Sequence, residues 1–147
     1  MEIEEALTAW ARSVPSLVAM LGEPNRIRIY KLRVLQGSRM PCTVLNRSGV
    51  DRQYRSCTVD GAVAVTLQID HYAKTWQDMV DLARAWRQAL SPDNSSFPVW
   101  MGGDPGDSPM VAVKVKAAML DNEFDLDDPD PGLLRRYQSW TFWIAET

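Results

Sequence analysis

Few side chains in this 147-residue chain could do acid–base or metal chemistry, and the single histidine, His71, is the first to consider. A histidine that acts as a general base needs a second group to orient its ring, and many metal sites use two or more histidines. One histidine can supply neither a histidine pair nor a two-histidine metal site. We therefore expect His71 to have a packing role at the end of a strand.

A run of carboxylates between positions 121 and 132 could suggest calcium. A calcium loop of the helix–loop–helix type has glycine at its sixth position and glutamate at its last. Counting from Asp121 places Leu126 and Gly132 there, and counting from Asp125 is no better. The pattern instead predicts a solvated acidic loop over 121–132, whose carboxylates are Asp121, Glu123, Asp125, Asp127, Asp128 and Asp130.

Other catalytic signatures are missing. The glycines at 102, 103 and 106 are not followed by the Lys and Ser or Thr of a phosphate-binding loop, and no Gly-x-Ser-x-Gly elbow is present. The two cysteines, Cys42 and Cys57, lack neighbours at metal-ligand spacing, so we expect small buried thiols. These residues predict a protein that is not an enzyme and needs no cofactor or metal.

The element that organises the chain runs from Val63 to Leu90. Apolar residues alternate with polar ones up to Ala73, which predicts a half-buried strand. Apolar residues then recur every three or four positions, which predicts an amphipathic helix with Thr75 as its N-cap. A long strand should therefore lead directly into a packed helix.

The remaining chain predicts further helices and strands. Helical periodicity over 1–21 is interrupted by Pro15, so we expect a restart near Ser13 and an end at Gly22. Short strands are expected within 26–35 and 40–47, joined to the central strand through a polar hairpin connection over 48–61. Later strands are expected over 110–120 and 133–145, and a long projecting loop over 91–109.

Composition and patterning together predict one α/β (α+β) domain over 1–147. Its mostly antiparallel, four-stranded sheet should carry two main helices on one face and long loops. With 46% hydrophobic residues the chain can form a core, and its net charge of −3 argues against broad binding to duplex DNA. The acidic N-terminus does not fit a signal peptide, and no apolar run is long enough to span a bilayer.

Five pieces of the chain stand out by their order: the helix ending at Leu21, Arg28-Ile29-Tyr30, the strand opened by Pro41, the junction from Gln68 to Thr75 with its helix ending at Arg87 to Leu90, and Leu133 to Tyr137 followed by Trp140 to Trp143. In this order they resemble the tail-completion, or tail-terminator, family of long-tailed bacteriophages and related gene-transfer particles. These pieces cover most of the chain. They are residues that set a fold, and none is catalytic.

The resemblance implies a structural virion protein that forms a hexameric ring at the head-proximal end of a tail tube. Such a ring stops tube polymerisation and presents a surface for joining the head. The implied partners are other copies of the chain, the major tail-tube protein, the head–tail connector and the DNA that passes through the pore without sequence-specific binding. The implied location is the virion tail, assembled in the host cytoplasm, with no membrane partner.

Candidate contact residues are chosen by their side-chain type, because aromatic, methionine and arginine side chains are common at protein interfaces. The chain holds six tryptophans, more aromatic surface than a monomer readily hides, and tryptophan is enriched at interfaces. The candidates are Phe97, Trp100 and Met101 in the long loop and Arg135, Arg136 and Trp140 by the last strand. The acidic loop would suit a pore wall, since like charges repel phosphate.

Two alternatives stay open at the level of sequence. A head-closure or neck adaptor would bind the portal side and would not cap the tube. A small-molecule enzyme or ligand-binding module of similar α/β make-up is disfavoured, because the sequence offers no paired base and nucleophile; a defined pocket with an acid of strongly shifted pKa would favour it.

Overall fold

The computed structural model describes residues 2–23, 26–54, 59–90, 99–101, 113–127 and 132–145. The helices are α1 (Ile3–Ala11), α2 (Pro15–Leu21) and α3 (Trp76–Ala89). The strands are β1 (Ile29–Lys31), β2 (Cys42–Tyr54), β3 (Val59–Ala73), β4 (Val99–Met101), β5 (Val113–Asp127) and β6 (Leu134–Ala145).

The described strands form one sheet of six, in the order β1-β2-β3-β6-β5-β4. Every pair is antiparallel except β1 with β2. The predicted mixed α+β fold with a mostly antiparallel sheet is confirmed, but the prediction of four strands is wrong. β1 lies within the strand expected over 26–35, and the unexpected strand is β4, a three-residue edge strand that is too short to leave a clear alternation in the sequence.

The central strand and helix occur as predicted. β3 ends at Ala73, and α3 begins at Trp76 after Thr75, whose hydroxyl accepts a hydrogen bond of 3.2 Å from the backbone N–H of Asp78. Only two residues separate the strand from the helix. The helix therefore starts at the end of β3 and packs back over β3 and β6.

The N-terminal segment breaks where Pro15 predicts. Pro15 is the first residue of α2, a position at which the missing N–H costs nothing. Gly22 ends α2 with φ of 110°, and the Arg28 guanidinium donates to the carbonyl oxygens of Met20 and Pro41 at 2.9 Å. Arg28 thus fastens the end of α2 to the start of β2.

Three predicted loops are shorter than expected. The polar connection over 48–61 is mostly strand, because β2 continues to Tyr54 and β3 starts at Val59. Register shifts near Ser48 and Gln53 place extra residues in the long hairpin, which hides the alternation. Within 91–109, residues 99–101 form β4 against β5, and the other positions lie outside the described residues.

The acidic segment 121–132 is also not a loop as predicted, because β5 continues to Asp127. Its acids occupy every second position, with Asn122, Phe124 and Leu126 between them. That is the period of a strand, which a composition rich in Asp and Glu hides. Asp128 and Asp130 lie outside the described residues.

The two faces of the sheet differ. Directly paired residues share a face, so the helix face carries Leu67 with Trp140 and Val65 with Phe142, all in the core with the helices. The opposite face, which we call the open face, carries Asp70 with Tyr137 and its neighbours. No described helix packs on the open face, which confirms that the helices lie on one side.

Candidate interaction surfaces

A buried polar chain crosses the core beneath α3 and is centred on His71. Its Nδ1 lies 3.1 Å from the Thr43 hydroxyl, which in turn accepts from the indole N–H of Trp86 at 3.2 Å. Gln138 Oε1 can only accept and lies 2.7 Å from Nε2, so His71 carries its proton on Nε2 and its Nδ1 accepts from the Thr43 O–H. The three polar groups on this side of His71 therefore all have a hydrogen-bond partner.

The other half continues from His71 through Gln138 to the surface. Gln138 Oε1 lies 2.7 Å from His71 Nε2 and also accepts from the Trp140 indole. The Gln138 amide donates to Glu123 and to the Ala83 carbonyl. Arg87 donates to Glu123 at 2.5 and 2.7 Å, so the chain ends in an ion pair.

Burial and hydrogen bonding set the protonation states of His71 and Glu123 in this hydrogen-bond chain. Desolvation lowers the pKa of His71 to about 4, so the ring is neutral near pH 7. Burial acts to raise the pKa of Glu123, but hydrogen bonds from Gln138 and Arg87 outweigh it and lower that pKa. A neutral, enclosed histidine whose two nitrogens are already bonded has no position for a substrate proton, which fits the predicted packing role.

The thiol of Cys42 is also unreactive. It is fully buried, and desolvation raises its pKa to about 11, so almost no thiolate exists near neutral pH. Cys57 lies outside the described residues.

The two predicted contact arginines lie on opposite faces of the sheet. Arg135 is on the open face, where its Nη2 donates to Asp70 Oδ2 at 2.9 Å and its guanidinium lies 5.6 Å from the centre of the Tyr72 ring. Arg136 is on the helix face, where it pairs with Asp125 at 2.7 Å and lies 5.3 Å from the Trp76 ring. One flat partner surface cannot contact both.

Two predicted contact residues are core residues. Met101 and Trp140 are almost fully buried in the core cluster, so the prediction that they form an interface is wrong for this fold. The cause is that Met101 belongs to a short strand instead of a loop, and Trp140 faces the helices. Phe97 lies outside the described residues, as does the side chain of Trp100.

Exposed apolar side chains mark two other surfaces that the sequence did not reveal. The first, the knob, consists of Leu32 and Leu35, which are 75% and 62% exposed. The second, the strip, consists of Met119 and Phe124, which are 53% and 47% exposed. Phe124 stacks on Tyr137 with ring centres 4.6 Å apart, so the aromatic end of the strip is held in place by its neighbour.

No side-chain cluster suited to binding a metal emerges from the described residues. A groove of about 700 Å³ lies beside the knob, and its lining (Ile29, Tyr30, Lys31, Arg33, Val34, Leu35 and Gln36) contains no carboxylate, histidine or cysteine. No group of three or more metal-ligating side chains occurs in the described ranges. None of the described helices is long and apolar enough to cross a membrane.

The fold and its surfaces define a class: a small α+β protein whose buried polar groups support packing and which exposes several large apolar side chains. The chain matches the family described as tail completion protein gp17 over residues 5–143, and it belongs to that family. The predicted family resemblance is confirmed. Membership makes the chain a structural protein of the tail of a virion or virion-like particle.

A solved structure supports the same fold. The chain is similar to a protein in the virion of a native gene transfer agent particle, with a TM-score of 0.62 and 12% sequence identity. The match covers 97% of this chain and 94% of the other. At that identity the likeness concerns the fold. No curated protein sequence matches the chain.

Proposed function

We propose that the protein closes the head-proximal end of a tail tube as a ring, stops the addition of tube subunits and offers a surface to which the head is joined. Family membership over residues 5–143 is the observation that carries this proposal. Its action is assembly and not catalysis. Its partners are further copies of the chain, the last ring of tube subunits and the head–tail connector.

The surfaces of the fold suit that role. A ring subunit needs two different contact surfaces, because head-to-tail contacts close a ring only when each copy presents both. The knob and the strip are two such surfaces, and both expose large apolar side chains. A rigid sheet with helices on one face would hold them at a fixed angle.

Passage of DNA through the ring is part of the proposal, and the acids of β5 are candidates for its wall. Glu123 and Asp125 already pair with Arg87 and Arg136, which offsets part of their charge. Asp121 accepts a hydrogen bond of 2.5 Å from Thr141 and has no basic partner among the described residues. A pore-lining role for the acidic segment stays a prediction that rests mainly on Asp121 and on the residues beyond Asp127.

Tail length tests the proposal against the adaptor alternative. Particles assembled without this protein should carry tubes longer than normal, because nothing stops polymerisation. A neck adaptor would leave tubes of normal length and heads that are not joined to them. Electron micrographs of the two particle populations give the length distribution, and normal tubes without heads would contradict the proposal.

A further inference from the structure

A groove of about 500 Å³ lies where α2 ends and the chain turns toward β1 and β2. The residues that line it, which we call the basic groove, are Gly22, Glu23, Arg26, Arg28 and Arg39. Three guanidinium groups and one carboxylate give the groove a net positive charge. No apolar side chain is among these lining residues.

Arg28 is the fixed member of the basic groove. Its Nε donates to the Pro41 carbonyl oxygen and its Nη2 to the Met20 carbonyl oxygen, each at 2.9 Å. Both acceptors are carbonyl groups, and no carboxylate of a described residue forms an ion pair with Arg28. A half-buried guanidinium that is oriented by carbonyl groups alone keeps its full charge for an anion.

Gly22 leaves one nitrogen of Arg28 accessible from the groove. A Cβ at this position would lie 3.0 Å from Arg28 Nη1, so a larger residue would fill the space beside that nitrogen. Nη1 forms no hydrogen bond with a described residue, because the two bonds of this side chain use Nε and Nη2. The N–H groups of Nη1 therefore remain to donate to a ligand.

Arg26 and Arg39 bring two further guanidinium groups to the groove. Both side chains are exposed, and neither forms an ion pair with a described residue. Their backbones are held, because the Arg26 N–H donates to the Glu23 carbonyl at 2.9 Å and the Ser38 hydroxyl donates to the Arg39 carbonyl at 3.0 Å. Guanidinium groups match the oxygens of phosphate with paired hydrogen bonds, so the three arginines suit a phosphate ligand.

The lining of the groove favours a phosphodiester chain over a protein segment. Protein interfaces usually have an apolar and aromatic centre, which this groove lacks, whereas contacts to a nucleic-acid backbone are mostly charged. The acids of β5, which would repel phosphate, lie toward the opposite edge of the sheet from β1. The acids at the start of α1 pair with Arg47 and Lys31, which offsets their charge.

We propose that the basic groove binds the phosphodiester backbone of DNA without regard to base sequence. This inference rests on the proposed function, in which DNA passes through the ring, and it gives that DNA a contact on each subunit. Arg26, Arg28 and Arg39 would together hold about two or three phosphates. One subunit alone binds weakly, and repetition of the groove around the ring strengthens the contact.

Removal of the two exposed arginines tests the groove without disturbing the fold. Arg26→Gln combined with Arg39→Gln keeps both hydrogen bonds of Arg28, so the temperature of thermal unfolding should not change. Fluorescence anisotropy with a labelled duplex of about 20 base pairs measures binding between about 50 and 200 mM salt. The affinity should fall by roughly tenfold or more, and the slope of log K against log salt should flatten by about two, because each phosphate contact contributes about 0.9. Duplexes of unrelated sequence should bind the wild-type chain equally well.

Arg84→Gln combined with Lys116→Gln is the matched control. Both side chains are exposed, they lie on α3 and β5 outside the groove, and the net charge changes by the same amount. This control should bind DNA about as tightly as the wild-type chain. Equal weakening of the control and the groove variant would show attraction by net charge alone and would contradict the inference.

Other anions identify the class of ligand. Inorganic phosphate should compete with the duplex only weakly, because a single ion replaces one of several contacts, and a glutamate-rich peptide should bind more weakly than the duplex. If inorganic phosphate or the peptide binds through Arg26 and Arg39 while the duplex does not bind, the inference is overturned in favour of a small anion or an acidic protein. Absence of duplex binding at low salt would overturn it as well.

Capping of tail tubes separates this inference from the proposed ring. The variant R26Q with R39Q should still stop the growth of isolated tubes, because neither arginine belongs to the knob or the strip. If this variant binds DNA as tightly as the wild-type chain, the inference is wrong and the ring stands. If the wild-type chain binds DNA through the groove but does not stop tube growth, the ring is contradicted and the groove stands.

Discussion

At the scale of single residues, the hydrogen-bond directions around His71 explain how a polar side chain is accommodated at the centre of the sheet. Two tryptophan N–H groups donate into the chain from both ends, through Thr43 and Gln138, so the neutral ring satisfies one donor and one acceptor. A second proton on His71, at Nδ1, would require the Thr43 hydroxyl to turn from donor to acceptor while it also accepts from Trp86. Protonation therefore costs the hydrogen bond that Thr43 donates to Nδ1 and also buries a charge.

This arrangement predicts a pH dependence of stability. The pKa of His71 is about 4 in the folded chain against 6.5 for an ordinary histidine, so the unfolded chain binds more protons between those values. The contribution of His71 to the free energy of unfolding is fully present above pH 6.5. It is lost as the pH falls toward 4, which lowers the stability by about 3 kcal/mol. Urea unfolding of wild type and His71→Gln from pH 7 to 4.5 should give a steeper loss for wild type.

The variant provides its own control for other titrating groups. Carboxylates outside this hydrogen-bond chain, such as Glu2 beside Arg47, contribute equally to both proteins, so the difference in slope reports on His71 and the groups bonded to it. Equal slopes over that range would show that the ring is not the source of the pH dependence. The variant should also be less stable at pH 7, because Gln cannot reproduce both hydrogen bonds.

At the scale of elements, the junction between α2 and β1 has the strictest backbone requirement. Gly22 has φ of 110°, and a Cβ there would lie 3.0 Å from Arg28 Nη1 and 3.1 Å from the Arg26 carbonyl oxygen. Gly22→Ala should therefore destabilise the fold by about 1–3 kcal/mol, from backbone strain and displacement of Arg28. Thermal unfolding of purified variants measures the effect.

Gly37→Ala is the matched control for that substitution. Gly37 also has a positive φ, of 78°, but a Cβ there would meet nothing within 4 Å. It should show only the backbone strain, so its loss of stability should be clearly smaller. Similar losses for both variants would show that the contact with Arg28 contributes little.

The elements themselves divide into those that the sequence predicts and those that it does not. The change of period at Ala73, the cap at Thr75 and the break at Pro15 are local signals, and each is confirmed. β4 is too short to show a period, and the acids in the second half of β5 hide one. Strand pairing stabilises both, and pairing depends on residues far away in the sequence.

The contact surfaces were less predictable for a related reason. Tryptophan and methionine indicate interfaces only if they are exposed, and exposure depends on which face of a strand they occupy. Trp140 and Met101 face the core, while two ordinary leucines and a phenylalanine face solvent. Leu32 carries no sequence signal at all, because its left-handed conformation is set by the departure of the chain from β1.

At the scale of the whole molecule, the fold separates a packed face from a face available for assembly. All described helices, the buried polar chain and the core lie on the helix face. The open face carries an ion pair between buried Asp70 and half-buried Arg135, an aromatic stack and the strip. A subunit built this way can present a large fixed surface without exposing its core, which suits a tail component that assembles once and stays in place.

Binding of the purified chain to isolated tail tubes tests the central claim most directly. Electron micrographs of the mixture should show added density as a ring at one end of each tube, and those tubes should no longer lengthen when fresh tube subunits are supplied. Binding along the sides of the tubes, or continued growth from ends that carry the protein, would contradict the account.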